Sequence, residues 1–418
     1  MFSALKYRIG FFLAVRQIRR SSIWTNTLIV SVMILTFLNL VVVSGILVGL
    51  IQGAVDAVRL HYTSDIIIST PTSKSSIENS PAVIAALAAD PRIDSYSSRY
   101  LEGATVEAGY KEQHKDNEKP NIASAGVSGI NPQTEDRVTG LSTYLVEGSY
   151  LLPTDYDQVL VGAYLLKKYL PIDSPGFSTL EGVAPGTKIR LTLNGVQREV
   201  TVKGIIKSKI DEINMRIFMT DSQLRSLAGR STYNVNEIAV KLKPGVDPNA
   251  VRDALIGQGL SRVAKVQTYA DAEPKFIKDM IATFALLGNM ISSIGLVVAS
   301  ITIFIVIFIN AITRRKFIGI LKGIGISGEA IEISYILQSF FYAITGSIIG
   351  LIIVYAVLQP LIAAHPINFP FSDGILVAPL SSTFLRMSLL IVATIFAGYI
   401  PARMIVRKNT LDSILGRN

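Results

Sequence analysis

The side chains able to do chemistry in this 418-residue chain are few. His61, His114 and His365 are its only histidines, and none belongs to an H-E-x-x-H pair, which would set two imidazoles on one helix face around zinc. His61 stands four residues before Asp65, and the two read as a solvated pair at a helix end rather than a metal site. With no cysteine there is no thiolate nucleophile, no Cys-ligated zinc and no disulfide. GVSG at 126–129 lacks the G-x-S-x-G pattern of a nucleophile elbow and reads as strand-end glycine. No G-x-x-x-x-G-K-[ST] occurs, so the chain has no P-loop for ATP hydrolysis. No catalytic, cofactor-binding or metal-binding residue is expected, and the chain is not expected to be an enzyme.

What remains is binding chemistry. Residues 313–327, TRRKFIGILKGIGIS, carry Arg314, Arg315, Lys316 and Lys322 before the first carboxylate, Glu329. Phe317, Ile318, Ile320, Leu321 and Ile324 add apolar contacts, and Gly323 and Gly325 allow close approach and a sharp exit. Such a basic, partly apolar helix serves either to be gripped by a partner or to rest on lipid headgroups.

This stretch lies between long uncharged runs, which set its position. Half of the chain is hydrophobic, more than an ordinary soluble protein carries, and the expected class is a polytopic membrane protein. The net charge of +9 is unevenly placed: residues 54–280 hold 26 Lys and Arg against 27 Asp and Glu, and the remainder holds 14 against 4. The basicity therefore belongs to the membrane rim, and nucleic acid is not expected as a partner.

Residues 1–22 have near-helical apolar spacing, five basic side chains and no acidic one, as in an amphipathic helix on the cytoplasmic membrane face. Residues 23–55 are uncharged and overlong for a bilayer, so the first span continues as a stalk, with Gly45, Gly49 and Gly53 on one face for helix packing. The second stalk and span occupy 276–312, with residues 280–313 uncharged. The third is placed at 329–360, ended by Pro360, with Gly346 and Gly350 as a small-xxx-small packing step. An outer loop at 361–382 precedes the fourth span at 383–403, where Arg386 is expected to snorkel to outer headgroups. Basic residues resist translocation, so 313–328 and the tail 404–418 should be cytoplasmic.

Residues 56–275 are charge-balanced and turn-rich and read as a large extracytoplasmic α+β domain inserted between spans 1 and 2. Strands are expected at 65–70, 121–130, 158–162, 188–193, 198–206, 216–220 and 237–242, with Asn194-Gly195 as a hairpin turn. Helices are expected at 81–89, 163–169, 221–227 and 248–258, and solvated loops at 72–80 and 111–120.

RRKFIGILKGIGIS and the following ILQSFFYAITGSIIG resemble the R-E-I-G-I-L-K-A-I-G-A segment and next helix of the MacB, FtsX and LolC/LolE group of ABC-transporter permeases. The matching positions are Arg315, Ile318, Gly319, Ile320, Leu321, Lys322, Ile324, Gly325 and Ser327. Phe317 replaces a usual Glu, Gly323 a common Ala, and Gln338 a frequent acidic residue. VLVGAYLLKKYL, PGTKIRLTLNGVQREVTVKGIIKS, MRIFMTDSQLRSLAG and NEIAVKLKPGVDPNAVRDAL are similar, in that order, to the group's periplasmic core domain, and Pro401, Ala402, Arg403 and Leu415 to its closing segment.

The resemblance implies a permease subunit that transmits motion from a separate ABC ATPase, which binds the ATP and magnesium, to the exported domain. Arg314, Arg315, Lys316, Phe317, Ile318, Gly319, Leu321, Lys322, Gly323 and Gly325 would then form the ATPase-coupling helix. A homodimer or a heterodimer with a related permease is expected in the inner (cytoplasmic) membrane, both termini inside, with a membrane-fusion or lipoprotein-receptor protein as a further partner. Apart from Lys278, Asp279, Glu329 and Glu332 at their ends, the spans hold no Asp, Glu, Lys or His, which speaks against an ion-coupled transporter and for an amphiphilic cargo (lipoprotein, lipid, peptide or drug) taken from outside. An FtsX-type regulator of cell-wall hydrolases is the alternative.

Overall fold

The computed structural model describes residues 2–111, 120–170, 178–272, 275–369, 372–374 and 376–407. His114 and the loop expected around it lie largely outside the described residues. The chain divides into a helical unit, residues 1–52, 276–369 and 373–418, and a β-rich unit, residues 53–275 with 370–372.

Among the described residues four helices are long and apolar enough to cross a membrane: Ile23–Thr63, Lys278–Thr313, Gly328–Ala364 and Leu380–Val406. The first is interrupted by π-turns at Asn39–Val43 and Arg59–Thr63. The third passes through Pro360, contrary to the expected stop, because a π-turn at Ile353–Leu358 widens the helix just before the proline and accommodates its ring and missing N–H.

Within the helical unit, Met33 and Phe37, one turn apart, fill the spaces left by Gly346 and Gly350, where a Cβ would collide with them. Gly45 and Gly49 are both buried and Gly53 is half-buried. At Gly45 the close neighbour is an extended segment, not a helix: a Cβ would lie 2.7 Å from Leu376 Cδ1, and Val377 N–H donates to the Gly45 carbonyl at 3.2 Å. Arg386 does not reach outward. Its guanidinium donates to the Leu40 carbonyl and to Ser44 Oγ. The π-turn at 39–43 breaks the regular i→i−4 ladder there, and the arginine supplies the carbonyl with a donor.

Among its described residues the β-rich unit has ten strands: β1 Ile66–Ser69, β2 Ile93–Ala108, β3 Ile122–Ile130, β4 Leu145–Gly148, β5 Gln158–Gly162, β6 Lys188–Leu193, β7 Val196–Ile206, β8 Arg216–Thr220, β9 Glu237–Leu242 and β10 Lys265–Thr268. The long β2 serves two sheets. Its first half pairs with β9 in the order β10-β1-β9-β2, and helices Ser80–Ala89 and Pro248–Gly257 contribute Val83, Leu87, Val251 and Leu255 to that sheet's core. Its second half joins β3, β8, β5, β7 and β6, and because β6 pairs with both β7 and β2 this sheet closes on itself. Closure removes free strand edges around a core that includes Val106, Val127, Val161, Leu191, Val202 and Ile217. Asn194 and Gly195 both take positive φ, 48° and 83°, in the β6–β7 turn.

Candidate functional site

The short helix Arg315–Gly323 is set by strong local rules. Its end is a Schellman turn: Gly325 takes φ 93°, its N–H donates to the Lys322 carbonyl at 3.0 Å, and Ile326 N–H donates to the Leu321 carbonyl at 3.0 Å. A side chain at 325 would be strained, so this glycine fixes the exit of the chain. Ser327 then caps the next helix, its Oγ accepting from Ala330 N–H at 3.3 Å. A stop and a start separated by the four residues 324–327 leave the short helix no freedom to merge with its successor.

The helix has two faces. Ile318, Gly319 and Leu321 are buried, in a core that includes Leu13, Ala311, Ile331, Tyr335, Ile405 and Val406. Lys322 donates to the Val406 carbonyl at 2.9 Å and so ties the helix to the end of Leu380–Val406. On the opposite side Phe317, Ile320 and Ile324 are 49%, 52% and 70% exposed. Lys316, Gly323 and Gly325 are exposed beside them, while Arg314 and Arg315 are half-buried. Of the ten residues singled out in the sequence, Ile318, Gly319, Leu321 and Lys322 form a holding set and Lys316, Phe317, Gly323 and Gly325 an outward set, with the half-buried Arg314 and Arg315 between them. Ile320 and Ile324 join the outward set, as their i, i+4 relation indicates.

A second constellation lies inside the β-rich unit and has no counterpart in the sequence reading. Arg99, on β2, is 2% exposed, as is Glu135 from helix Pro132–Thr139. Arg99 Nη2 donates to Glu135 Oε1 at 2.7 Å and to the Tyr62 carbonyl at 2.8 Å, and its Nη1 lies 3.4 Å from Glu237. Ser97 Oγ donates to Glu135 Oε2 at 2.7 Å. Tyr62 Oη donates to Glu237 at 3.0 Å and accepts from Arg216 Nη2 at 2.8 Å, with both guanidiniums over its ring.

Burial acts to lower the Arg99 pKa, but Glu135 and Glu237 outweigh it and raise it above the ordinary arginine value. Burial pushes the Glu237 carboxyl up, and Arg216 and Arg99 more than reverse this, holding it below the usual carboxylate range. Arg99 and Glu237 thus keep their charges, and the network clamps residues 59–63, where the long first helix ends.

The neighbours of Tyr62 reinforce the clamp. Arg59 pairs with Asp65 at 2.6 Å and stacks over Tyr269. His61 and Asp65 are not partners: His61 Nδ1 is 2.8 Å from the Thr139 carbonyl, and Asp65 also accepts from Leu242 N–H at 2.9 Å. No cluster of potential metal ligands occurs among the described residues.

Two family models match the chain, the MacB-like periplasmic core domain over residues 28–258 and the FtsX-like permease C-terminal domain over residues 289–410. Among curated proteins it is 29% identical over 133 residues to the ABC transporter permease YtrF of Bacillus subtilis, covering 30% of each chain. It is 24% identical over 226 residues to the uncharacterized ABC transporter permease MJ1507 of Methanocaldococcus jannaschii, covering 52% of this chain and 55% of that one. The matches thus span about a third and about half of those relatives. Among solved structures, the periplasmic region of MacB from Actinobacillus actinomycetemcomitans aligns at 16% identity and TM-score 0.37, over 54% of this chain and 95% of that one. The extracellular domain of the noncanonic ABC-type transporter YknZ from Gram-positive bacteria aligns at 14% identity and TM-score 0.32, over 49% and 98%. The family models, not these superpositions, carry the assignment.

Proposed function

The chain belongs to the ABC transporter permeases that join a MacB-like periplasmic core domain to an FtsX-like permease domain, and from this we propose that it couples a separate ATPase to work done outside the membrane. The observation that supports this reading is the outward apolar face of Arg315–Gly323, presented on a helix whose other face is locked into the bundle. An ATPase groove with apolar walls and an acidic rim would take Phe317, Ile320 and Ile324 with Lys316 beside them. Force applied there enters the bundle through Ile318, Leu321 and the Lys322–Val406 bond.

In this reading the β-rich unit is inserted between the first and second spans and lies outside, while Arg315–Gly323 and both termini are cytoplasmic, since the basic residues flank those ends. The clamp around Tyr62 joins the end of the first long helix to β2, β8 and β9, so displacement of that helix is passed to the strands rather than absorbed by a loose linker. The cargo is amphiphilic and is taken from the outer side, because a lever acting on an exported domain moves what is already there.

Co-purification with a co-encoded ABC ATPase tests the docking. Phe317→Asp with Ile320→Asp should abolish recovery of the ATPase and its permease-dependent ATP turnover. Gly319, on the buried side, is unsuitable for such a test, since a bulky residue there disturbs the bundle itself. Undiminished coupling in the double variant would refute the docking assignment.

A further inference from the structure

The N-terminal helix Phe2–Arg20 turns one side to the bundle and leaves a chemically distinct side uncovered. Gly10, Leu13, Ala14 and Gln17 are buried. A Cβ at Gly10 would lie 2.7 Å from Ile333, and Gln17 accepts a hydrogen bond from Gln338. Lys6 is occupied by Glu329 at 2.7 Å. On the uncovered side Tyr7, Phe11 and Phe12 are exposed, interleaved with exposed Arg8, Arg16, Arg19 and Arg20. None of these four arginines has a carboxylate partner among the described residues, and no acidic residue occurs before Asp56.

The helix ends at a fixed corner. Ser21 N–H donates to the Gln17 carbonyl at 2.9 Å, and Asn26 Nδ2 donates to the Ile18 carbonyl at 3.0 Å across the turn. Directly beyond it Ile23 and Trp24 are 81% and 85% exposed at the start of the long apolar helix Ile23–Thr63. An acidic protein surface would neutralise the arginines but leave Ile23, Trp24 and the aromatic rings in water. A lipid surface satisfies both, with rings at headgroup depth and planar guanidiniums matched to phosphate.

We propose that the outward side of the N-terminal helix is a binding surface for anionic phospholipid headgroups, with Arg8, Arg16, Arg19 and Arg20 as the phosphate-contacting groups. The proposal rests on the chain crossing a membrane and is independent of ATPase docking. Binding there would hold the corner at 21–22 at the interface and fix the level at which the first long helix enters the bilayer. It would also make the bundle's position depend on the anionic lipid content of its leaflet.

Trp24 is the only tryptophan and stands four residues after Arg20, just past the corner at 21–22, so its emission reports the lipid at this corner. Full-length protein is reconstituted in phosphatidylcholine vesicles holding equal mole fractions of either dibrominated phosphatidylglycerol or dibrominated phosphatidylcholine. Quenching should show about a threefold preference for the anionic lipid at low salt, a modest share of what basic residues gain at an anionic surface. That preference should fall towards unity at high ionic strength. It should also fall in the Arg8→Gln, Arg16→Gln, Arg19→Gln, Arg20→Gln variant, with Arg16→Gln and Arg19→Gln alone intermediate should the fourfold variant fail to fold. Equal quenching by the two lipids, or a preference that survives these replacements, would overturn the proposal. So would its loss to inorganic phosphate at constant ionic strength, which would mark a site for free anions.

Discussion

Removing Glu135 tests whether the clamp at the end of the first long helix is a true charge network. Arg99 is 2% exposed and makes its shortest contact, 2.7 Å, with this carboxylate. Glu135→Ala strands a buried guanidinium, a loss that typically costs about 3–5 kcal/mol. Glu237 remains 3.4 Å away and the Tyr62 carbonyl still accepts at 2.8 Å, so the lower end, about 3 kcal/mol, is expected. For a unit of this size that corresponds to a fall in melting temperature of roughly 6–12 °C. The assay is thermal unfolding of the full-length protein in detergent, followed by hydrogen exchange in peptides from β2 and helix Pro132–Thr139. Arg99→Met with Glu135→Leu should recover much of the loss, because replacing both charges leaves neither one unpaired. A single-variant cost below about 1 kcal/mol, or a double variant worse than the single, would refute the reasoning.

Three further outcomes follow from the geometry. Because the Glu237 carboxyl is held below the usual value near 4.5 in the folded state, its contribution is present above that pH and is lost as pH falls below it. Glu237→Gln should flatten the acid limb of the stability profile measured by hydrogen exchange in the β-rich unit, and an unchanged limb would contradict this. Gly346→Leu drives a side chain into Met33 and should destabilise the bundle by about 1–3 kcal/mol in detergent melts, more than the same change at the open Gly323. Arg386→Met removes the donors to Leu40 and Ser44, at a cost of roughly 0.5–2 kcal/mol, readable as faster exchange of amides around the π-turn at 39–43.

Much of this architecture is legible where a local rule decides the conformation. Asn194-Gly195 announces a hairpin because both residues tolerate positive φ, and the observed strands β5, β6, β8 and β9 begin and end where alternation and turn residues place them. Gly346 and Gly350 reveal a packing step through spacing alone, although only coordinates identify Met33 and Phe37 as what fills it. The longest strand, β2, was hidden: Ser95, Ser97, Ser98 and Gly103 dilute its alternation, because its two halves belong to different sheets. Residues 163–169 carry a helical pattern but form only a short 3-10 turn at Ala163–Leu165 before the chain turns away.

The same division runs through the residues of the two candidate sites. Arg315–Gly323 could be found because its basic and apolar residues are contiguous, and its inner and outer faces follow from helical spacing. Arg99 could not be found. Arginine ordinarily reads as surface, and its partners stand 36 and 138 residues away, so no window of sequence holds the pair. His61 and Asp65, adjacent enough to suggest each other, instead look in different directions because the π-turn at Arg59–Thr63 intervenes.

Photocrosslinking in living cells tests the proposed coupling most directly. A photoreactive residue placed at Ile320, on the exposed face of Arg315–Gly323, should capture an ABC ATPase, while one at Asn194, in the β6–β7 turn, should capture none. Cysteine substituted at the same two positions should react with an impermeant maleimide in intact cells at 194 only, which is clean because the native chain has no cysteine. An ATPase absent from the adducts at 320, or labelling of 320 from outside, would contradict the account.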